Sequence, residues 1–195
     1  MPTAAEREVE RAKYIHVYDA MGNRYKMGGD RVKDAKVDLR WAQARGAQSY
    51  LDIGCGRGEM IDFAERLGYP VAIGTEIVPA LCEPANVYFS HVHQLHIAFD
   101  DSSYDFVTSF DVIEHILPPD DTTLITHLGR IARHSIALTA NNRDSIDPTT
   151  GNQLHVNKRP YDEWEQLIRG ILEPEWTVER MAGKRYVSET WRAWR

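Results

Sequence analysis

Cysteine is scarce in this 195-residue chain: Cys55 and Cys82 make no disulfide framework, and no grouping of cysteine and histidine has zinc-site spacing. Long apolar runs are missing too. No stretch is long enough to span a bilayer and no apolar leader opens the chain, so a cytoplasmic protein without membrane contact is expected. Nor is there a surplus of positive charge. Lysine and arginine number 23 against 29 aspartates and glutamates, and the net charge of −6 argues against a surface built for unspecific attraction to nucleic acid. The local basic groups, Lys158 with Arg159 and then Lys184, Arg185, Arg192 and Arg195, read as solvated faces. No repeats or low-complexity segments occur, so a repeat array is set aside.

What the chain does have is a glycine turn closing an apolar run, Tyr50-Leu51-Asp52-Ile53-Gly54-Cys55-Gly56-Arg57-Gly58-Glu59. Ser49 to Ile53 has the short, branched and aromatic character of a buried strand. A helix comes next, with Met60, Phe63, Ala64 and Leu67 on one face. Glycines in such a turn admit unusual backbone angles and let a ligand approach bare backbone, so a nucleotide-like cofactor is expected there. The glycine spacing differs from the dinucleotide pattern, and Glu59 would repel a pyrophosphate. Asp52 at the strand end instead suits a ligand carrying an ammonium group. A second strand, Val71 to Thr75, ends at Glu76, where a carboxylate commonly grips ribose hydroxyls. Cys55 sits in the turn because its side chain is small, not as a nucleophile.

These residues resemble those of the class I S-adenosylmethionine-dependent methyltransferases, particularly the small type 11-like group, whose first motif is similar to Asp52-Ile53-Gly54-Cys55-Gly56-Arg57-Gly58. The resemblance covers roughly residues 49 to 140. Ile97 to Val107 is similar to the family's approach to its fourth strand, and Phe110-Asp111-Val112-Ile113-Glu114-His115-Ile116 to the segment after that strand. It implies S-adenosyl-L-methionine as cofactor, no metal, and cofactor contacts from Asp52, Gly54, Cys55, Gly56, Gly58, Glu76, Ile77, His93, Gln94, Leu95, Phe110 and Asp111. Relatives often carry an acidic residue for the adenine amino group. This chain places His93 there, with Gln94 beside it.

The expected fold is α/β: a Rossmann-like, doubly wound, seven-stranded and mostly parallel sheet with helices on both faces and an antiparallel last strand. With 43% hydrophobic residues, one substantial core fits the length. The expected organisation is one domain, with a helical cap over 1–46, a cofactor-binding core over 47–140, and a lid loop, helix and strand pair over 141–195. Strands are expected at 87–90, 105–110, 135–139, 176–181 and 186–194. Ligands then gather at the strand tips, around Asp52, Glu76, His91 to Leu95, Phe110 to His115 and Asn141. Tyr14, His16, Tyr18, Arg24 and Tyr25 of the cap are placed to cover the cofactor or orient the acceptor. His155 and His115 are the candidate catalytic bases.

The activity this implies is methyl transfer to an oxygen or nitrogen of a small molecule. A nucleic acid or protein acceptor is the alternative, as is a cofactor-binding subunit that has lost catalysis. A nicotinamide-dependent oxidoreductase is disfavoured by the glycine spacing.

Overall fold

A computed structural model describes residues 2–22, 29–84, 86–90, 98–181 and 188–195, and shows the chain beginning with α1 (Ala4–Met21) and α2 (Gly29–Ala44). A capping box starts α1: the Glu6 amide donates to the Thr3 hydroxyl at 3.2 Å and the Thr3 amide to the Glu6 carboxylate at 2.7 Å. Next come β1 (Ser49–Ile53), α3 (Glu59–Leu67), β2 (Val71–Glu76), β3 (Val87–Phe89), β4 (Tyr104–Ser109), α4 (Asp120–Ile131), β5 (Ala132–Asn141), α5 (Tyr161–Leu172), β6 (Thr177–Met181) and β7 (Ser188–Trp194). One seven-stranded sheet results, in the order β3-β2-β1-β4-β5-β7-β6. Strands β1 to β5 pair in parallel, while β7 runs antiparallel to both β5 and β6. This is the expected doubly wound fold.

Side-chain parity in the strands explains how both faces are covered. Leu51, Ile53 and Val107 point to the face packed by Leu124 and Leu128 of α4 and by Trp164 and Ile168 of α5. Tyr50 and Phe106 point to the other, under Leu39 of α2 and Phe63 of α3. Each such buried aliphatic or aromatic side chain contributes about 1.5–3 kcal/mol. β5 is longer than its sequence pattern predicts, 132–141 against 135–139: Ala132 pairs with Tyr104 of β4 at one end, and β7 lies along Ser135 to Asn141 and gives the other end a partner. Among the described residues, no helix is long and apolar enough to cross a membrane.

Candidate functional site

The chain enters the sheet at β1, winds outward through β2 and β3, and returns to β4 on the other side of β1. A crevice opens at that switch point, at the carboxyl ends of the strands. It is a cavity of about 350 Å³ whose wall includes Gly54, Cys55, Gly56, Glu76, Ile77, Phe110, Asp111, His115 and His155. The bend after β1 has φ of 79° at Gly54, 54° at Gly56 and 78° at Gly58. At Gly54 a side chain would force a shift: a Cβ there would stand 2.4 Å from Val112 Cγ2. Cys55 occupies space vacated by a second glycine, since a Cβ on Gly74 would lie 2.5 Å from its Sγ. Burial pushes the Cys55 thiol up, so it is no nucleophile.

The bend spends its amides inside the protein. Gly54 and Cys55 donate to the Thr75 carbonyl at 2.8 and 3.0 Å, Gly58 to the Cys55 carbonyl at 2.9 Å, and Gly56 to Glu76 Oε2 at 2.9 Å. Little remains there for a phosphate, which agrees with the sequence pattern's bias against pyrophosphate. Glu76 also accepts from the amides of Ile77 at 2.8 Å and Val78 at 3.1 Å through Oε1. A carboxylate has about four lone-pair sites, so these three bonds leave Glu76 Oε2 one for a ligand hydroxyl. Burial nevertheless raises its pKa.

Asp52 and Gly58 do not line the cavity, although their place in the motif predicts contact with the cofactor. Parity is the reason for Asp52: it shares a face with Tyr50, pairs across the sheet with Thr108, and accepts the Thr108 hydroxyl at 2.7 Å while 2% exposed. Gly58 caps α3 instead. Burial, with the nearby Glu76 charge adding, pushes the Asp52 carboxyl up to about 7. An unfolded aspartate titrates near 4, so between about pH 4 and pH 7 the folded chain holds a proton that the unfolded chain has released. Stability therefore falls as pH rises through that window. Asp52→Asn cannot ionise, and its melting temperature is expected to vary less across the same range. A series of thermal melts checks this; an unaltered slope would mean that Asp52 is charged in the folded protein.

The far side of the cavity is built by α1 and by two segments carrying histidines. Arg7, Arg11, Tyr14 and Tyr18 recur at helical spacing and turn one face of α1 toward the cavity. Arg7 clamps Asp120 at the start of α4 with two bonds of 2.5 and 2.8 Å. The Tyr14 hydroxyl meets His115 Nδ1 and donates to the Leu154 carbonyl at 2.9 Å. His115 Nδ1 also lies 3.2 Å from that carbonyl, and His155 Nδ1 lies 2.7 Å from the Arg143 carbonyl. A carbonyl only accepts, so His155 carries its proton on Nδ1 and a lone pair on Nε2; at His115 the Tyr14 hydroxyl, spending its own proton on Leu154, accepts from Nδ1 and leaves Nε2 the lone pair. The rings meet edge to face at 4.6 Å. Burial and the neighbouring His155 push His115 down to about 3, and burial lowers His155 as well, so both are neutral bases at physiological pH.

His155 reaches this position on a segment that folds back on itself. Leu154 donates to the Ser145 carbonyl at 2.7 Å, Ile146 bridges Gln153, and Asp147 accepts from the Thr149 and Thr150 hydroxyls at 2.7 Å each. The Asn157 amide then donates to the Glu114 carbonyl at 3.0 Å. Asp121, fully buried in α4, fastens the end of the segment: it accepts from Asn157 Nδ2 at 2.9 Å and pairs with Arg159.

The structure thus gathers Gly54, Cys55, Gly56, Glu76, Ile77, Phe110, Asp111, His115 and His155, with Asn141. His93, Gln94 and Leu95 lie outside the described residues, as do Arg24, Tyr25, Lys184 and Arg185. His16 does not join the cavity wall and meets Thr149 instead. Sequence reasoning placed Glu114 in the crevice only as part of the span Phe110 to His115, with no role of its own, and did not name Arg7 and Arg11. The signal for the arginines was there in their spacing with Tyr14 and Tyr18; Glu114 was hidden inside a motif read for its neighbours. The basic groups expected to be solvated pair with carboxylates: Lys158 with Asp144, Arg159 with Asp121, Arg192 with Asp38 and Arg195 with Glu175.

A family model described as a methyltransferase domain matches residues 23–169. A search of curated proteins by sequence returned no match. Among solved structures, the chain is similar to a SAM-dependent methyltransferase from Archaeoglobus fulgidus, with a TM-score of 0.61 and 20% identity over 84% of this chain and 94% of that one. It is also similar to magnesium protoporphyrin IX methyltransferase from Synechocystis with bound SAM, at TM-score 0.64 and 15% identity over 95% and 97% of the two chains. A third is 1,6-didemethyltoxoflavin-N1-methyltransferase from Burkholderia thailandensis, at TM-score 0.68 and 16% identity over 100% and 91%. At such identities the likeness is one of fold.

Proposed function

Since the chain belongs to the methyltransferase domain family, we propose that it transfers a methyl group from S-adenosylmethionine to an oxygen or nitrogen of a small-molecule acceptor. The observation that supports this best is the cavity joining the glycine bend and Glu76 to two neutral imidazoles. When bound, the cofactor supplies a methyl group on a positively charged sulfur. Gly54 and Gly56 would admit its amino acid portion against bare backbone, Glu76 Oε2 would accept a ribose hydroxyl, and Ile77, Phe110 and Asp111 would complete the wall. Carboxylates on that wall (Glu10, Glu59, Glu76, Asp111, Glu114 and Asp120) outnumber the guanidiniums of Arg7, Arg11 and Arg57, a balance that favours a cationic ligand over a phosphate. His155 and His115 stand at the acceptor end, where a Nε2 lone pair is placed to take the proton that a hydroxyl or amine gives up. In this reading one domain does the work: residues 47–140 hold the cofactor, residues 1–46 cap it, and residues 141–195 close the acceptor side. Two structural relatives carry printed acceptors, a porphyrin and a toxoflavin precursor, that are small molecules.

Calorimetry with S-adenosylmethionine tests the cofactor, and methyl-labelled cofactor incubated with fractionated small-molecule, nucleic acid and protein pools tests the acceptor. Heat of binding and label in the small-molecule pool are expected. No heat would end the cofactor assignment, and label in RNA or protein would move the acceptor to that class. His155→Ala is expected to lower turnover at least about a hundredfold with near-normal cofactor affinity. Unchanged turnover would leave His155 a packing residue.

A further inference from the structure

We propose that Glu114, His115 and His155 bind a divalent transition-metal ion at the acceptor end of the cavity, and that the acceptor is a hydroxyl compound completing the ion's coordination. This rests on the methyltransferase reading above. The ligand atoms of these three side chains lie within 4.8 Å of one another, and no other such group of histidine, cysteine, aspartate and glutamate occurs among the described residues. Donors about 2.1 Å from a common ion stand at most about 4.2 Å apart, so small side-chain adjustments bring all three onto one centre.

Two features separate this cluster from a chance meeting of polar groups. The first is the outer layer of bonds. His155 Nδ1 lies on the Arg143 carbonyl, and His115 Nδ1 is held by the Tyr14 hydroxyl beside the Leu154 carbonyl, so both rings are fixed through Nδ1 and Nε2 is left for an ion. The second is the way distant segments are tied together at this spot. Asn157 bonds the main chain of Glu114, Tyr14 of α1 bridges His115 and Leu154, and all three side chains come to the cavity.

Two imidazoles and one carboxylate form a donor set that suits zinc, manganese, iron, cobalt or nickel better than magnesium or calcium. Three protein ligands leave coordination positions facing the cavity, where an oxygen of the acceptor can bind. A hydroxyl bound to such an ion gives its proton to a cavity water more readily, and the ion stabilises the alkoxide that remains as the nucleophile. An amine would lose nucleophilicity on coordination, so the ion narrows the acceptor from oxygen or nitrogen to oxygen. His155 then serves as a ligand rather than a base, because one lone pair cannot do both.

The test uses tag-free full-length protein stripped with a chelator and desalted. Cobalt(II) chloride is titrated while its visible absorption is followed, and zinc chloride binding is measured by calorimetry. One ion per chain is expected, with affinity lowered at least about tenfold in His155→Ala, His115→Ala and Glu114→Gln. His134→Ala, at an exposed position on β5 outside the cavity, should bind as the unaltered protein does. Circular dichroism and S-adenosylmethionine calorimetry on each variant separate lost ligation from lost folding, with Glu114→Gln and His155→Asn as the least disruptive replacements. Absence of cobalt and zinc binding, or equal affinity in properly folded variants, overturns the proposal and returns His155 to the base role. Failure of cofactor binding with intact metal binding would instead overturn the methyltransferase reading.

Discussion

Gly54→Val is expected to lower the affinity for S-adenosylmethionine by at least about a hundredfold while the chain still folds. Two independent penalties meet at this residue. Its φ of 79° lies in the left-handed region, which a β-branched side chain occupies at a cost of about 1–3 kcal/mol. Its Cβ would also stand 2.4 Å from Val112 Cγ2 and 3.2 Å from Cγ1. Relief of that clash has to move either the bend or Val112, and Val112 sits between Asp111 and the turn Ile113–His115 that carries the acceptor-side groups. Either movement deforms the cavity. The strain weighs on folding, while displacement of the bend or of Val112 costs cofactor contacts; each 1.4 kcal/mol of lost contact is tenfold in affinity, so about 3 kcal/mol reaches two orders of magnitude. Calorimetry with purified protein makes the measurement. Gly54→Ala, which adds the Cβ alone, is expected to lose less, and Gly22→Ala shares the positive φ but meets nothing within 4 Å and should bind normally. Normal binding by Gly54→Val would place the cofactor elsewhere.

Asp121→Ala is expected to cost about 3 kcal/mol of stability and most of the turnover. The carboxylate is wholly buried and pairs with Arg159, accepts Nδ2 of Asn157 at 2.9 Å, and accepts the Thr122 amide at 2.7 Å. Removing it leaves those donors facing a hole and frees the segment that brings His155 to the cavity. Denaturant unfolding reads the first effect, and methyl transfer by the surviving folded fraction reads the second. A destabilised variant with full turnover would show that His155 is held by its own neighbours, Gln153 and the Arg143 carbonyl, and not by this anchor.

The range of the interactions decides which parts of the molecule were legible in its sequence. The unit of β1, bend and α3 was legible because its causes are local: a short branched and aromatic run, three closely spaced glycines, and a helical stripe of Met60, Phe63 and Ala64. Glu76 was legible for the same reason, as a carboxylate at the end of an apolar run. The surroundings of Asp52 were not legible from its place at the strand's end: its parity with Tyr50 sends the side chain into the sheet face toward Thr108. The meeting of His115 with His155 had no local signal. It depends on an intervening segment folding back through Asp147, Gln153 and Asn157, and on Tyr14 reaching across from α1. The full extent of β5 was equally hidden, since its last residues are strand only because β7 lies beside them.

The position of β7 between β5 and β6 also dictates an order of assembly. β6 precedes β7 in the chain yet reaches the sheet only through it. Until Ser188 to Trp194 arrives, β5 presents a bare row of donors and acceptors ending in the cavity wall at Asn141, and β6 has nowhere to dock. A nascent or clipped product that stops at Met181 would therefore carry an adhesive rim and a half-made crevice, prone to stacking against its own copies before any ligand could enter.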